Sequence, residues 1–194
     1  PMIPKDVREL RRDIVFEKSL RGKPFTFFST WGLFSPKEID EGTELLLNHI
    51  DVKPDGLTLE IGCGYGPIGL TIATLSPHGR VHMIDKDFVA VEYAKKNAKK
   101  NGIENCEIYL SNAFSHVPNI QFDTIVSNLP AKVGNELLYL IMQDAKAHLR
   151  PGGKFCVVVI AGLKEYIKRN FKEVFGNYEK LKQGKTYMVA VAVK

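Results

Sequence analysis

Glu60-Ile61-Gly62-Cys63-Gly64-Tyr65-Gly66-Pro67 sets three glycines at alternate positions, two residues after an acid. Glycines in this arrangement leave the backbone bare, so that a ligand can lie directly on peptide groups. A dinucleotide fingerprint needs glycine at the sixth place counted from Gly62, where Pro67 stands, and no Lys-Ser/Thr pair follows to make a P-loop. Further along, Asp85 ends a second apolar run, where a carboxylate can accept hydrogen bonds from ligand hydroxyls. The plainer alternative is that Asp85 caps the next helix. Ser111-Asn112-Ala113 closes a third run and Asn128-Leu129-Pro130-Ala131 a fourth.

Holding these residues together requires elements that all end on one edge. Strand patterns cover 57–61, 80–84, 106–110, 122–126 and 154–160, with helical patterns over 66–75, 88–100 and 134–149. The alternation predicts parallel βαβ units in a doubly wound sheet with helices on both faces, an α/β fold that binds ligands at the carboxyl ends of its strands. A helix over 163–175 and a last strand over 186–193 follow. Upstream, residues 14–30 read as a hairpin broken at Arg21-Gly22-Lys23-Pro24. Trp31 to Pro36 then form a turn-rich aromatic loop, and Ser35 or Pro36 opens a helix carrying Ile39, Leu45, Leu46, Leu47 and Ile50. A length of 194 residues fits one domain, with 1–35 as hairpin and loop extension and 36–194 as the catalytic core.

The acid followed by GxGxG resembles motif I of the class I S-adenosylmethionine-dependent methyltransferases, in which the loop lies under the cofactor's methionine part. The resemblance implies that Glu60, Gly62, Gly64 and Gly66 shape the methionine pocket. It implies that Asp85, with Lys86 beside it, holds the ribose and that Asn112 with Ala113 meets the adenine. The family commonly has an acid where this chain has Asn112, whose amide oxygen can still accept a hydrogen bond, without the charge.

Asn128-Leu129-Pro130 is similar to the Asn-Pro-Pro-aromatic motif of methyltransferases that modify planar exocyclic amines or amides. There the Asn oxygen and the next residue's carbonyl accept the two amine hydrogens and leave the nitrogen lone pair facing the sulfonium methyl. The resemblance makes Asn128, Leu129 and Pro130 the candidate catalytic residues, with Asn128 also beside the cofactor. A nitrogen with a delocalised lone pair is a poor nucleophile, so holding it in line is the main catalytic task. Leu129 replaces the first Pro, and Ala131 replaces the aromatic that stacks on the target base. Trp31, Phe34 and Tyr65 are the candidates to supply stacking, or Trp31 and Phe34 pack their loop against the domain.

The phrases Trp31-Gly32-Leu33-Phe34-Ser35, Asp40-Glu41-Gly42-Thr43 and Asn128-Leu129-Pro130, with Gly134, look like the small methyltransferase domain of the bacterial ribosomal RNA guanine-N2 methyltransferases and their single-domain archaeal relatives. The resemblance spans about 12–194. It implies a Rossmann-like methyltransferase fold of seven mostly parallel strands with 186–193 inserted antiparallel, S-adenosyl-L-methionine as cofactor, and guanine-N2 methylation in ribosomal or transfer RNA. A protein glutamine amide or DNA adenine is also compatible with an Asn-x-Pro motif. The missing aromatic leaves open a non-catalytic RNA-binding module with the same fold.

The formal net charge is +5. Residues 1–55 hold 9 basic and 10 acidic side chains, 56–130 hold 6 and 7, and 131–194 hold 12 and 5, so the excess lies wholly in the last third. There Lys132 adjoins the acceptor motif, and Lys164, Lys168 and Lys172 form one helical stripe, near Arg169, Lys180, Lys182 and Lys185. The region could hold RNA phosphates near the site, or the stripe is a solvated face. Lys95, Lys96, Lys99 and Lys100 read as a solvated face. The five histidines and three scattered cysteines show no metal-ligand or disulfide spacing, which suits a reducing, cytoplasmic setting without a metal. Seven charged residues precede the first apolar run at Ile14, and the longest run, Phe155 to Ala161, is far below a membrane span.

Overall fold

A computed structural model of the chain describes residues 6–194; Pro1 and Met2, to which no role is attached, lie outside them with the rest of the first five. After the short helix α1 (Val7–Leu10), Arg21 and Gly22 both take positive φ, 52° and 75°. They make the two-residue turn whose twist suits antiparallel neighbours, so β1 (Ile14–Leu20) pairs with β2 (Lys23–Ser29) as the expected hairpin.

Seven strands form the main sheet: β3 (Leu57–Ile61), β4 (Arg80–Asp85), β5 (Cys106–Leu110), β6 (Phe122–Asn128), β7 (Leu149–Ile160), β8 (Glu179–Gln183) and β9 (Tyr187–Val193). Their order is β5-β4-β3-β6-β7-β9-β8, parallel through β7, with β9 antiparallel to both neighbours. The inserted last strand is as expected. β8 is an addition, since its charged Glu-Lys-Leu-Lys-Gln has a single apolar residue and only one side paired.

Helices α2 (Glu41–His49), α3 (Pro67–Leu75) and α4 (Phe88–Lys100) cover one face of the sheet, and α5 (Asn135–Ala147) and α6 (Lys164–Phe175) the other, each with its own buried cluster. The main differences from the expected boundaries lie at α2 and at the junction of α5 with β7, and β6 runs on to Asn128. α2 opens at Glu41 rather than near Ser35, because Asp40 caps it and Ser35 sits at φ 46°, outside helical backbone. α5 stops at Ala147, since Leu149 already pairs with Phe122 at the start of β7, before a bulge that sets Arg150-Pro151-Gly152-Gly153 against Asp123.

The hairpin is fastened by side chains rather than by the sheet. Asn97 lies in the last turn of α4, and Asn101, the residue that caps its C-terminus, follows one turn on. The Asn97 Oδ1 accepts from the Phe28 N–H (2.7 Å) and its Nδ2 donates to the Phe28 carbonyl (2.9 Å), and Asn101 does the same with Thr26 (3.0 and 2.9 Å). Two amides thereby satisfy the open edge of β2 as a neighbouring strand would. Asn97 Nδ2 also donates to the Tyr65 carbonyl (2.8 Å), which joins the hairpin to the glycine loop.

Candidate active site

The glycine loop leaves β3 and enters α3. Gly62 and Gly64 take φ of 72° and 55°, and a Cβ at either would meet nothing within 4 Å, so bare backbone faces open space. The loop is tied down from behind, with the Cys63 N–H donating to the Ile84 carbonyl at 2.9 Å. Gly66 is closely packed, since a Cβ there would fall 2.8 Å from Leu70 Cδ1. Glu60 is 1% exposed, and its Oε1 accepts from the Gly69 N–H at 2.8 Å. Burial, with the Asp85 charge adding, holds the Glu60 carboxyl well above the ordinary carboxylate range. Glu60 thus shapes the loop from beneath, locking α3 to β3. Burial and the same two acids push the Cys63 thiol up as well, which leaves it unreactive.

Asp85 stands at the carboxyl end of β4. Its Oδ2 accepts from the Gly64 N–H and its Oδ1 from the Asp87 N–H, both at 2.9 Å. The cap of α4 is Asp87, whose Oδ1 accepts from the Val89 N–H at 2.8 Å, so the helix-cap alternative for Asp85 does not hold. Lys86 is exposed beside it. Just beyond the adjoining strand β5, Ala113 takes φ 49° and the Ser111 hydroxyl donates to its carbonyl, and Asn112 is exposed. Phe88 and Leu110, singled out by no motif, expose apolar side chains on this same edge, Leu110 in register with Asp85. Bare glycine backbone, a carboxylate at its mouth and apolar flanks fit a cofactor with a zwitterionic end, a ribose and a flat base.

At the carboxyl end of β6, Asn128 Nδ2 donates to Asp40 Oδ2 at 3.1 Å and lies 3.4 Å from Thr43 Oγ1. The amide nitrogen is therefore the atom turned towards α2, and Oδ1 faces the other way as an acceptor. The Leu129 N–H donates to the Val158 carbonyl (3.0 Å) and its side chain is buried, so only its carbonyl could reach a ligand; Pro130 and Ala131 are exposed.

Of the three stacking candidates, Tyr65 is excluded. It is 2% exposed and packs on Phe16 and Phe27, while its hydroxyl donates to the Ser35 carbonyl at 2.8 Å. That bond fixes the aromatic loop beside the glycine loop. Leu33 and Ile39 do the packing, leaving Phe34 66% and Trp31 44% exposed.

The basic residues divide. Ile160 ends β7 on the site edge, Tyr187 begins β9 opposite it, and the Ala161 N–H donates to the Thr186 carbonyl at 2.7 Å. Lys164, at the start of α6, and Lys185 thus share the edge with Lys132. Tyr166 OH donates to the Asn135 carbonyl (2.9 Å), seating that first turn of α6 beside α5. Lys168 and Lys172 run down the flank, away from the edge. Lys95 and Lys96 pair with Glu92 and Asp13, and Lys99 and Lys100 are solvated. Among the described residues no group of three His, Cys, Asp or Glu could hold a metal, and no helix is long and apolar enough to cross a membrane.

Residues 24–191 match the family model for the methyltransferase small domain. YbxB, an uncharacterized protein of Bacillus subtilis (strain 168), is 37% identical over 179 residues, 90% of this chain and 89% of its own length. The ribosomal RNA small subunit methyltransferase C of Haemophilus influenzae (strain 86-028NP) is 38% identical over 162 residues, 81% of this chain and 48% of that protein. The T. thermophilus 16S rRNA N2 G1207 methyltransferase, solved in complex with AdoMet and guanosine, superposes with a TM-score of 0.85 at 27% identity, over 94% of this chain and 50% of that one. The chain spans about half the length of these ribosomal RNA methyltransferases.

Proposed function

The chain belongs to the methyltransferase small domain family, and on that premise we propose that it methylates the exocyclic N2 amine of guanine in ribosomal or transfer RNA, with S-adenosyl-L-methionine as donor. The observation that carries the reading is the orientation of Asn128, whose oxygen is turned out as an acceptor at the strand edge next to a bare glycine loop.

When bound, the cofactor supplies an electrophilic methyl group on a sulfonium. Gly62 and Gly64 offer backbone to its methionine part, over a loop shaped by Glu60 and Gly66. Asp85, with Lys86 alongside, takes the ribose hydroxyls. Asn112 and Ala113 would meet the adenine, with the exposed apolar side chains of Phe88 and Leu110 on the same edge to flank it. Asn128 Oδ1 and the Leu129 carbonyl accept the two hydrogens of the acceptor amine, which aims its lone pair at the methyl and stabilises the positive charge that grows on nitrogen. Pro130 ends the strand so that this carbonyl faces the site. No base is required before transfer, in keeping with the absence of a titratable side chain in the Asn128-Leu129-Pro130 motif.

Phe34 supplies the stacking surface that Ala131 lacks, with Trp31 next to it, while Lys132, Lys164 and Lys185 hold phosphates at the edge and Lys168 extends that contact. Guanine is favoured because the T. thermophilus relative is a guanine-N2 enzyme solved with guanosine. Residues 36–194 are the catalytic core in this reading, and 1–35 its extension. Incubation with tritiated donor and separate RNA, DNA and protein fractions tests it. Label in RNA is expected; label in DNA or protein alone would move the acceptor to adenine or a glutamine amide, and absence of cofactor binding would leave an RNA-binding module.

A further inference from the structure

We infer that Asp40 is the positioning residue that decides which end of the Asn128 amide meets the acceptor, and that Tyr187 holds Asp40 for this task. The inference rests on the methyl-transfer reading and adds a residue to it.

A primary amide has nearly the same shape with its oxygen and nitrogen exchanged, so packing alone does not choose between the two orientations. Hydrogen bonding does. Asp40 Oδ2 accepts from the Gly42 N–H (3.0 Å), the Thr43 N–H (3.3 Å) and Asn128 Nδ2 (3.1 Å), while Oδ1 accepts from Tyr187 OH (2.9 Å). An ionised carboxylate can only accept. A flipped Asn128 would set oxygen against Asp40 and aim its NH2 at an incoming amine, donor against donor. The three side chains meet on the α2 face of the sheet, where Asn128 extends the side of β6 that carries Val126, and Tyr187 the side of β9 that carries Val189. Gly42 permits the approach, since a Cβ there would fall 2.9 Å from both Asp40 Oδ2 and Tyr187 Cδ1.

Asp40 also caps α2, so the test must separate the two roles. Serine at position 40 keeps a good cap but is too short to reach Asn128. Asparagine keeps an oxygen for both the cap and Asn128 and turns its nitrogen to Tyr187, whose hydroxyl can accept as well as donate. With RNA and tritiated donor, Asp40→Ser should lower kcat about tenfold to a hundredfold, with the dissociation constant for S-adenosylmethionine unchanged and the chain still folded at the assay temperature. Asp40→Asn should recover most of the rate, and Tyr187→Phe should lose a smaller part of kcat. Parent-like kcat in Asp40→Ser, an equal loss in Asp40→Asn, or a matching loss of cofactor affinity would overturn the inference. The ¹⁵N side-chain amide signal of Asn128 gives a readout without substrate. A changed shift and faster hydrogen exchange in Asp40→Ser support the contact, and an unchanged signal refutes it, even if the parent chain methylates no RNA and the functional reading fails.

Discussion

Asp85 Oδ2 accepts the N–H of Gly64 at 2.9 Å, which brings a carboxylate to the mouth of the glycine loop instead of to the helix that follows. Each oxygen keeps a lone pair free for a ligand hydroxyl. Hydrogen bonds to a charged group are worth about 1.5–3 kcal/mol each. Asp85→Ala should therefore weaken S-adenosylmethionine binding by roughly tenfold to a hundredfold in titration calorimetry, with Asp85→Asn between that variant and the parent.

Phe34 is the most exposed of the candidate stacking rings, on a loop pinned through Ser35 to Tyr65. Stacking on a base is worth about 1–3 kcal/mol. Phe34→Ala should lower kcat/KM for RNA about tenfold while leaving cofactor affinity intact, as steady-state kinetics and calorimetry would show. Leu33→Ala, by contrast, should act through stability, because Leu33 is buried.

What was legible in the sequence was what neighbouring residues decide. The glycine loop, Asp85, the strand ends and the hairpin turn are local patterns, and each lies where its pattern placed it. The Asp40–Asn128 pair joins residues 88 apart, and Asn97 reaches back 69 residues to Phe28. Asn97 reads as an ordinary member of a lysine-rich helix and Asn101 as the residue that ends it, because nothing local shows that a strand edge awaits them. The aromatic loop divided on burial, which sequence does not give; Tyr65 went inside and Phe34 stayed out. β8 was missed because an exposed edge strand needs little apolar pattern. The spacing of α6 showed one lysine stripe, but only the strand order reveals that its first turn lies on the site edge.

Glu60 carries a distinct pH signature. Its carboxyl is pushed well above the ordinary value of 4.5 in the folded chain, chiefly by burial. The folded state thus keeps a proton that the unfolded state releases, and stability from this group is full below the unfolded value and lost as pH rises towards the folded one. Glu60→Gln retains an oxygen for the Gly69 N–H and does not titrate. Its melting temperature should exceed the parent's by a margin that grows between about pH 5 and pH 8; a constant margin would mean that the carboxyl is ionised throughout.

If Lys132, Lys164 and Lys185 hold phosphates, replacing all three by Gln should weaken RNA binding and reduce the slope of log K against log salt by about 0.7 for each phosphate no longer neutralised. Replacing Lys168 and Lys172, which leave the edge, should change the slope less. Filter binding across a salt series distinguishes the two sets.

Whether Asn128 presents a guanine amine to the methyl donor is decided by nucleoside mass spectrometry. Unmodified ribosomal and transfer RNA, incubated with the purified chain and S-adenosylmethionine, should yield N2-methylguanosine. Asn128→Ala should cut that yield by about a hundredfold or more while still binding the cofactor. Absence of N2-methylguanosine with the parent chain, or its formation at the parent rate by Asn128→Ala, would rule out this role for Asn128.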